Sequence, residues 1–345
     1  MTDARWVSHS YAEARDRFLA AASGWTHRVW PHPLTGPSGE VLATDTLRLG
    51  PMTARRLLVL VSGTHGLEGP VGSAVQLGLV TRGVTLPPDL AVLIVHAINP
   101  HGFAWRRRMT EDGVDANRNF VDFSAPLPDN PHYRQHQTAI DPDHWPDVPM
   151  TALRIDPAIP TAAHAGQYSH PGGSYFGGHG PTWTNRTMRA ILAAEGGVAE
   201  TIALLDMHSG AGPWAATELF VAEPGASTFA AEWFPGAERF TIARSARFGD
   251  PTGVPGLLLS CLPEIFPDRR TLPMLTECGT YPGDIPLSLA RREAYCGRKG
   301  LAGHPRMARW LLEAQELFCP ADPSWRRYAL AGVLGRIDQA LAALA

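Results

Sequence analysis

The stretch Leu57-Leu58-Val59-Leu60-Val61-Ser62-Gly63-Thr64-His65-Gly66-Leu67-Glu68 decides the fold class. Its first five residues are continuously apolar, the pattern of a strand covered on both faces. Ser62-Gly63-Thr64-His65-Gly66 is a turn signal, and a helical pattern runs from Glu68 to about Val80. Outward from this unit, residues 92–95 form a second buried strand, stopped by Asn99-Pro100. Residues 201–206 form a third, preceded by a helix around 185–195. Residues 219–221 and 274–276 are further strand candidates, and residues 41–49 alternate as a half-buried strand does. Residues 10–23 read as an opening helix, and the chain is helical in pieces between about 285 and 343. Strands alternating with helices indicate an α/β sheet with helices on both faces. No linker or internal repeat divides the chain, so a single domain over residues 1–345 is expected. It carries a long irregular insertion at about 122–184, rich in Pro, Gly and His.

Composition narrows the function classes. The chain is 44% hydrophobic and 18% charged, as suits a packed globular protein. A formal charge of -3 over 345 residues leaves no electrostatic footprint for nucleic acid or an anionic membrane. The densest basic run, Arg106-Arg107-Arg108, is too short for a nucleic-acid arm. No apolar segment reaches the ~20 residues that span a bilayer, and the N-terminus lacks the apolar core of a signal peptide. A cytoplasmic location is the expectation. Cys261, Cys278, Cys296 and Cys319 show no CxxC pair or zinc-finger spacing and read as free thiols. Nothing in the sequence sets the oligomeric state.

The chemistry gathers at strand ends. His65-Gly66-Leu67-Glu68 sits where a buried strand gives way to a helix, and open α/β sheets bind ligands in the crevice beyond such ends. Alone, HxxE is a motif that chance supplies often, and reads first as a capping Glu beside a surface His. Asp206-Met207-His208-Ser209-Gly210 places a second His at the end of another apolar strand. His65, Glu68 and His208 together make a two-His, one-carboxylate set, which leaves a zinc position open for water. Glu277, in Leu275-Thr276-Glu277-Cys278-Gly279, ends a third strand. Zinc lowers the pKa of water towards about 7, and a nearby carboxylate is the natural acceptor of the proton. Between these lie Asn99-Pro100-His101-Gly102 and Asp115-Ala116-Asn117-Arg118-Asn119-Phe120. Arginines there suit a developing oxyanion or a substrate carboxylate; a solvated basic loop is the alternative.

In order along the chain these motifs resemble the zinc carboxypeptidase superfamily related to carboxypeptidase A. Its aspartoacylase and succinylglutamate desuccinylase branches are included. The matching elements are His65-Gly66-Leu67-Glu68, Asn99-Pro100-His101-Gly102, Arg108, Gly113-Val114-Asp115-Ala116-Asn117-Arg118-Asn119-Phe120, His208 and Glu277. The separations between them are similar to the family's. The resemblance implies a mixed twisted sheet and one Zn2+ ion held by His65, Glu68 and His208. It makes Glu277 the general base towards zinc-activated water, and gives Arg108, with Arg106 and Arg107 as substitutes, the scissile carbonyl. Asn117 and Arg118 would clamp a substrate carboxylate. The activity implied is a metallopeptidase or deacylase cleaving an amide bond of a small peptide or N-acyl amino acid.

This chain departs from the family in one respect. Carboxypeptidases carry a Tyr ahead of the catalytic Glu, and no Tyr lies between His208 and Glu277. Tyr281, Tyr168 and Tyr175 are the candidate substitutes. The Gly-rich run at 166–178 reads as a structural loop or as a lid offering Gln167, Tyr168 or His170 to a ligand. His132, His136, His144, His170 and His179 lack paired spacing on a regular element and read as loop residues rather than a second metal site. A zinc-pocket protein that binds without turnover is the alternative from another class. A serine esterase is disfavoured, since no GxSxG elbow occurs.

Overall fold

A computed structural model describes residues 4–221, 240–241, 254–301 and 305–345. The described strands are β1 (Thr26–Thr35), β2 (Val41–Leu49), β3 (Arg56–Ser62), β4 (Leu90–His96), β5 (Thr201–Ala211), β6 (Thr217–Val221), β7 (Phe240–Thr241) and β8 (Arg270–Tyr281). The described helices are α1 (Tyr11–Ala20), α2 (Gly69–Arg82), α3 (Pro100–Ala104), α4 (Pro131–Ile140) and α5 (Trp183–Glu195). They continue with α6 (Cys261–Ile265), α7 (Asp284–Arg298), α8 (Pro305–Phe318) and α9 (Pro323–Leu344). All eight strands join one sheet in the order β1-β2-β4-β3-β5-β8-β6-β7. The central pairs β4–β3, β3–β5 and β5–β8 are parallel, while β1–β2, β2–β4 and β6–β8 are antiparallel. The fold is therefore α/β on a mixed sheet.

The apolar run of β3 shows why both faces are covered. Leu58 and Leu60 point to one side, into a core with Val75 and Leu79 of α2 and Trp325, Leu330 and Ile337 of α9. Leu57, Val59 and Val61 point to the other, against Met188 and Ile191 of α5 and Leu258 and Leu262. Successive side chains alternate across a strand, so five apolar residues in a row require two cores. Each such side chain contributes roughly 1.5–3 kcal/mol on burial. Helix α2 is buried from Gly69 to Val80, as a helix lacking a polar face must be.

Two expectations change, and one strand is new. Strand β2 is not half-buried: Leu42 to Arg48 are all buried, because the strand pairs on both edges, with β1 and β4. Strand β1 gives no signal in the sequence because Pro31 and Pro33 interrupt it; as the outer strand it leaves one edge that needs no ladder. The insertion at 122–184 contains α4 and two 3-10 turns, Met150–Ala152 and Thr161–His164. All four cysteines are buried free thiols. No described helix is long and apolar enough to cross a membrane.

His96, the last residue of β4, stacks on Phe18 with ring centroids 4.2 Å apart, and its Nε2 lies 2.8 Å from Ser73 Oγ. Burial pushes its pKa down to about 4. The unfolded chain protonates this ring near pH 6.5, so its contribution is whole above that pH and is lost as pH falls towards 4. About 2 kcal/mol of stability is expected to go by pH 5. Unfolding midpoints of wild type and His96→Gln between pH 7 and 5 check this: the variant's curve should be flatter, and parallel curves would contradict it.

Candidate metal centre and active site

The chain leaves β3, turns at Gly63, and enters α2 directly after Glu68. Glu68 thus stands at a helix N-terminus, where the unpaired N–H groups and the dipole favour a carboxylate. Gly66 is required here: a β-carbon on it would lie 1.9 Å from the carbonyl carbon of Gly102. The Asn99-Pro100-His101-Gly102 motif is the other half of that contact. Its Asn99 side chain caps α3 by accepting the Gly102 N–H at 2.8 Å. The motif therefore shapes the turn rather than meeting substrate.

β5 and β8 run further than their sequences suggest. His208 and Glu277 are not beyond the strand ends but inside them, directly paired in register. The ladder continues through Ser209, Gly210 and Gly279, residues that read as turns in isolation. The chain goes from β3 to β4 on one side and later returns to β5 on the other. The order reverses at β3, and His65, Glu68 and His208 flank that switch point.

One ligand atom from each of His65, Glu68 and His208 lies within 4.8 Å of the others, and all three residues are buried. Nδ1 of His65 is 2.8 Å from Glu68 Oε1, and Nδ1 of His208 is 2.7 Å from Glu68 Oε2. Each imidazole is held from behind by a second carboxylate. His65 Nε2 meets Asp115 Oδ1 at 3.1 Å, and His208 Nε2 meets Asp206 Oδ2 at 2.8 Å. Thr64 Oγ1 donates to the other oxygen of Asp206 at 2.8 Å, and the Asn117 N–H donates to Asp115. With Nε2–H donated to a carboxylate, Nδ1 is free to act as a donor to a metal.

The carboxylates and imidazoles of this cluster perturb one another's charge. Burial alone would raise the pKa of Glu68, but His65 and His208 outweigh it and push it down. Burial opposes an imidazolium at His208, yet Asp206 and Glu68 hold its pKa well above the ordinary value. Burial likewise works against Asp115, and Arg108 and His65 carry it well below the carboxylate range. Three buried carboxylates, those of Glu68, Asp115 and Asp206, thus converge on the two imidazoles. Two imidazoles, a carboxylate and second-layer acids form a donor set that fits a zinc ion.

Of the three consecutive arginines only Arg108 reaches this centre. Its Nη1 lies 3.5 Å from Glu68 Oε1, and its Nε donates to Asp115 Oδ2 at 3.1 Å. Arg107 turns away to Glu293, and Arg106, at φ +53°, donates to the His9 carbonyl. Glu293 of α7 also accepts the N–H groups of Arg108 and Met109 at 2.7 and 3.2 Å, so it sets the arginine's position. Arg118 is buried, and burial lowers its pKa, a cost that an anionic partner would relieve. Gly166 packs against it; a β-carbon there would lie 2.6 Å from Arg118 Cδ. Asn117 turns its side-chain oxygen to the Leu258 N–H at 2.8 Å. Glu277 is half-buried, its Oε1 accepting the Ala211 N–H at 2.9 Å.

His65, Glu68, Arg108, Asn117, Arg118, His208 and Glu277 all line one cavity of about 110 Å³. A larger cavity, about 850 Å³, lies behind the turn against Gly66, Leu67, Arg106 and Arg107. Among the described residues, the only cluster of donors suited to a metal is at the smaller one.

The Gly-rich loop at 166–178 contributes differently from expectation. Gln167 is consumed within the loop, bonding the His170 and Ser174 carbonyls and the Ser169 and His170 N–H groups. Tyr168 donates its hydroxyl to the Arg118 carbonyl at 2.6 Å. Tyr175, at φ +57°, lines the cavity, with its hydroxyl on the Leu287 carbonyl; Tyr281 packs edge-on against Trp214. His132, His144 and His179 are exposed and His136 and His170 half-buried, none of them in the cavity. His164, not singled out by any motif, does line it.

Several solved structures share parts of this architecture. A metallo-carboxypeptidase from Burkholderia cenocepacia is 14% identical, with 96% of this chain and 69% of that chain covered and a TM-score of 0.43. A metallo-carboxypeptidase from Pseudomonas aeruginosa is 15% identical, with 85% and 68% covered and a TM-score of 0.40. An aspartoacylase family protein from Mesorhizobium loti is 16% identical, with 79% and 67% covered and a TM-score of 0.38. Values this low do not bear on the chemistry, which stands on the geometry above. A comparison with curated proteins finds no match. Residues 7–332 match the model of a family described as a protein of unknown function, DUF2817, and the chain belongs to that family.

Proposed function

We propose that this protein is a zinc-dependent hydrolase that cleaves an amide bond of a small peptide or N-acyl amino acid carrying a free carboxylate. The observation that carries this reading is the convergence in one cavity of three groups. These are the His65–Glu68–His208 donor set, a carboxylate on the strand beside it at Glu277, and two arginines.

His65 Nδ1, a Glu68 oxygen and His208 Nδ1 would hold the ion, with Asp115 and Asp206 fixing the ring orientations. Zinc, when bound, supplies a Lewis acid that lowers the pKa of water and polarises a carbonyl. Glu277 accepts the proton of the attacking water at its carboxylate and returns it to the leaving nitrogen. Arg108, held by Asp115 and Glu293, presents positive charge where the oxyanion develops. Arg118 and Asn117 bind the substrate carboxylate, for which a guanidinium offers two parallel donors.

The test is hydrolysis of a panel of N-acyl amino acids and dipeptides by the zinc-loaded protein, each compared with its C-terminal carboxamide. Wild type is expected to cleave the acids and discriminate against the carboxamides. Arg118→Ala should lower kcat/KM for the acids by roughly 10²-fold or more, mainly through KM, and leave the carboxamides little changed. Equal losses on both series would remove Arg118 from carboxylate binding. No turnover of any amide would overturn the proposal.

A further inference from the structure

The larger cavity has no part in the hydrolysis proposed above. At about 850 Å³ it falls within the range of small-molecule sites, roughly 300–1,000 Å³. It lies behind the segment that carries His65 and Glu68. Gly66 and Leu67 form part of its wall, and the Leu67 N–H donates to the Arg107 carbonyl at 3.1 Å. Much of its lining is apolar, from Leu67, Phe103, Trp105, Met307 and Leu311. Met307 and Leu311 stand four residues apart on α8, so they share a face of that helix. A smaller hollow of about 20 Å³ continues between α7 and α8, sharing Leu67, Arg106 and Leu311 and adding Leu289 and Trp310.

Charge in that wall is unevenly matched. Glu293 accepts from Arg107 Nε and from the N–H groups of Arg108 and Met109. Glu111 faces His32 Nε2 at 3.4 Å. Glu40 accepts the Ser38 N–H at 2.8 Å and folds back over Gly36, where a β-carbon would lie 2.2 Å from its carboxyl carbon. Arg106 differs from all of these. Among the described residues it forms no ion pair, and its guanidinium makes one hydrogen bond, from Nη2 to the exposed His9 carbonyl at 3.3 Å. His9 also lines the cavity, which sets this guanidinium at its edge. The φ of +53° at Arg106 is left-handed, a conformation that an L side chain adopts only under constraint. Across that turn three consecutive arginines reach three places: Arg108 the donor set, Arg107 Glu293, and Arg106 the cavity. A guanidinium is a donor only, and it pairs with both oxygens of a carboxylate.

We propose that this cavity is a second binding site, for a monocarboxylate carried on an apolar chain. Its carboxylate pairs with Arg106 at the His9 edge, and its chain lies along Leu67, Met307 and Leu311 towards Trp310. A neutral alcohol of the same length keeps the apolar contacts and loses the charged pairing. An alkylammonium brings a like charge to Arg106. The site stands apart from the hydrolase reading, and holds or fails whether or not the protein turns over an amide.

Calorimetry on the full-length, zinc-loaded protein with octanoate, octan-1-ol and octylamine provides the test. Octanoate is expected to bind about 10-fold more tightly than octan-1-ol, as a hydrogen-bonded charge requires, and octylamine more weakly than either. Arg106→Ala should erase the advantage of octanoate and leave octan-1-ol unchanged, while Arg106→Lys, which keeps the charge, should retain part of it. Leu311→Trp, which fills the cavity without touching the guanidinium, should weaken octanoate and octan-1-ol alike. Unfolding midpoints of each variant show that the fold is kept. Arg118→Ala should leave octanoate binding as it is in the wild type. No binding of octanoate, equal affinities for octanoate and octan-1-ol, or a preference that survives Arg106→Ala would each overturn the inference. So would loss of octanoate binding in Arg118→Ala, which would put the ligand in the cavity of the donor set.

Discussion

Replacing Glu277 with Gln is expected to lower turnover by about 10²- to 10⁴-fold, the usual range for losing a general base, while the protein keeps its zinc. Glu277 stands outside the three-residue donor set, so metal content should not change. Gln can also accept the Ala211 N–H that Glu277 Oε1 accepts at 2.9 Å, since a carboxamide oxygen serves equally well. The substitution removes a proton acceptor and leaves β8 intact. Steady-state kinetics, zinc content and the unfolding midpoint, measured together, give the check. Retained turnover would mean that another group takes the proton. Lost turnover with lost zinc would mean that Glu277 belongs to the metal-binding set.

The second large effect concerns Glu68. Its two oxygens lie between His65 and His208, and it is the carboxylate on which both Nδ1 atoms converge. Glu68→Ala leaves two imidazoles facing a hole and deprives Arg108 and the Ser209 N–H of an acceptor. Stoichiometric zinc binding is expected to disappear. A ligand that binds only the folded state stabilises it by about 2.7 kcal/mol at one hundred times its Kd. The wild-type midpoint should therefore fall on chelation and recover with added zinc, and that of Glu68→Ala should respond to neither. A wild-type midpoint indifferent to chelator, or a variant that still holds one zinc, would contradict the assignment.

The fold class was legible in the sequence, and so were the groups proposed for the site, because both are written locally. A five-residue apolar run at 57–61 reads as a doubly covered strand, and His65, Glu68, His208 and Glu277 each follow an apolar run. What remained hidden depends on distant partners. Asp115 and Asp206 sit inside motifs that attract notice, but nothing local says that they face the Nε2 atoms of His65 and His208. Glu293 lies on α7, far along the chain from Arg108, and its clasp on the Arg107 side chain and the 108–109 backbone exists only once α7 has packed. His164 lies in an aperiodic stretch, where no repeat marks which side chains turn inward. The extents of β5 and β8 were concealed because Ser209-Gly210 and Cys278-Gly279 resemble turns, whereas pairing across the two strands keeps them extended. Gln167 and Tyr168 stay out of the cavity for a related reason. Their polar atoms are spent on the loop's own backbone and on the Arg118 carbonyl, which leaves Tyr175 as that loop's contribution to the cavity.

The most direct measurement is a zinc titration of metal-free protein, followed by hydrolysis of a small N-acyl amino acid. Activity is expected to rise from background to a plateau at one equivalent of zinc, and the Glu68→Ala protein should stay at background throughout. Activity that is independent of zinc, or none at saturating zinc across the substrate panel, would contradict the account.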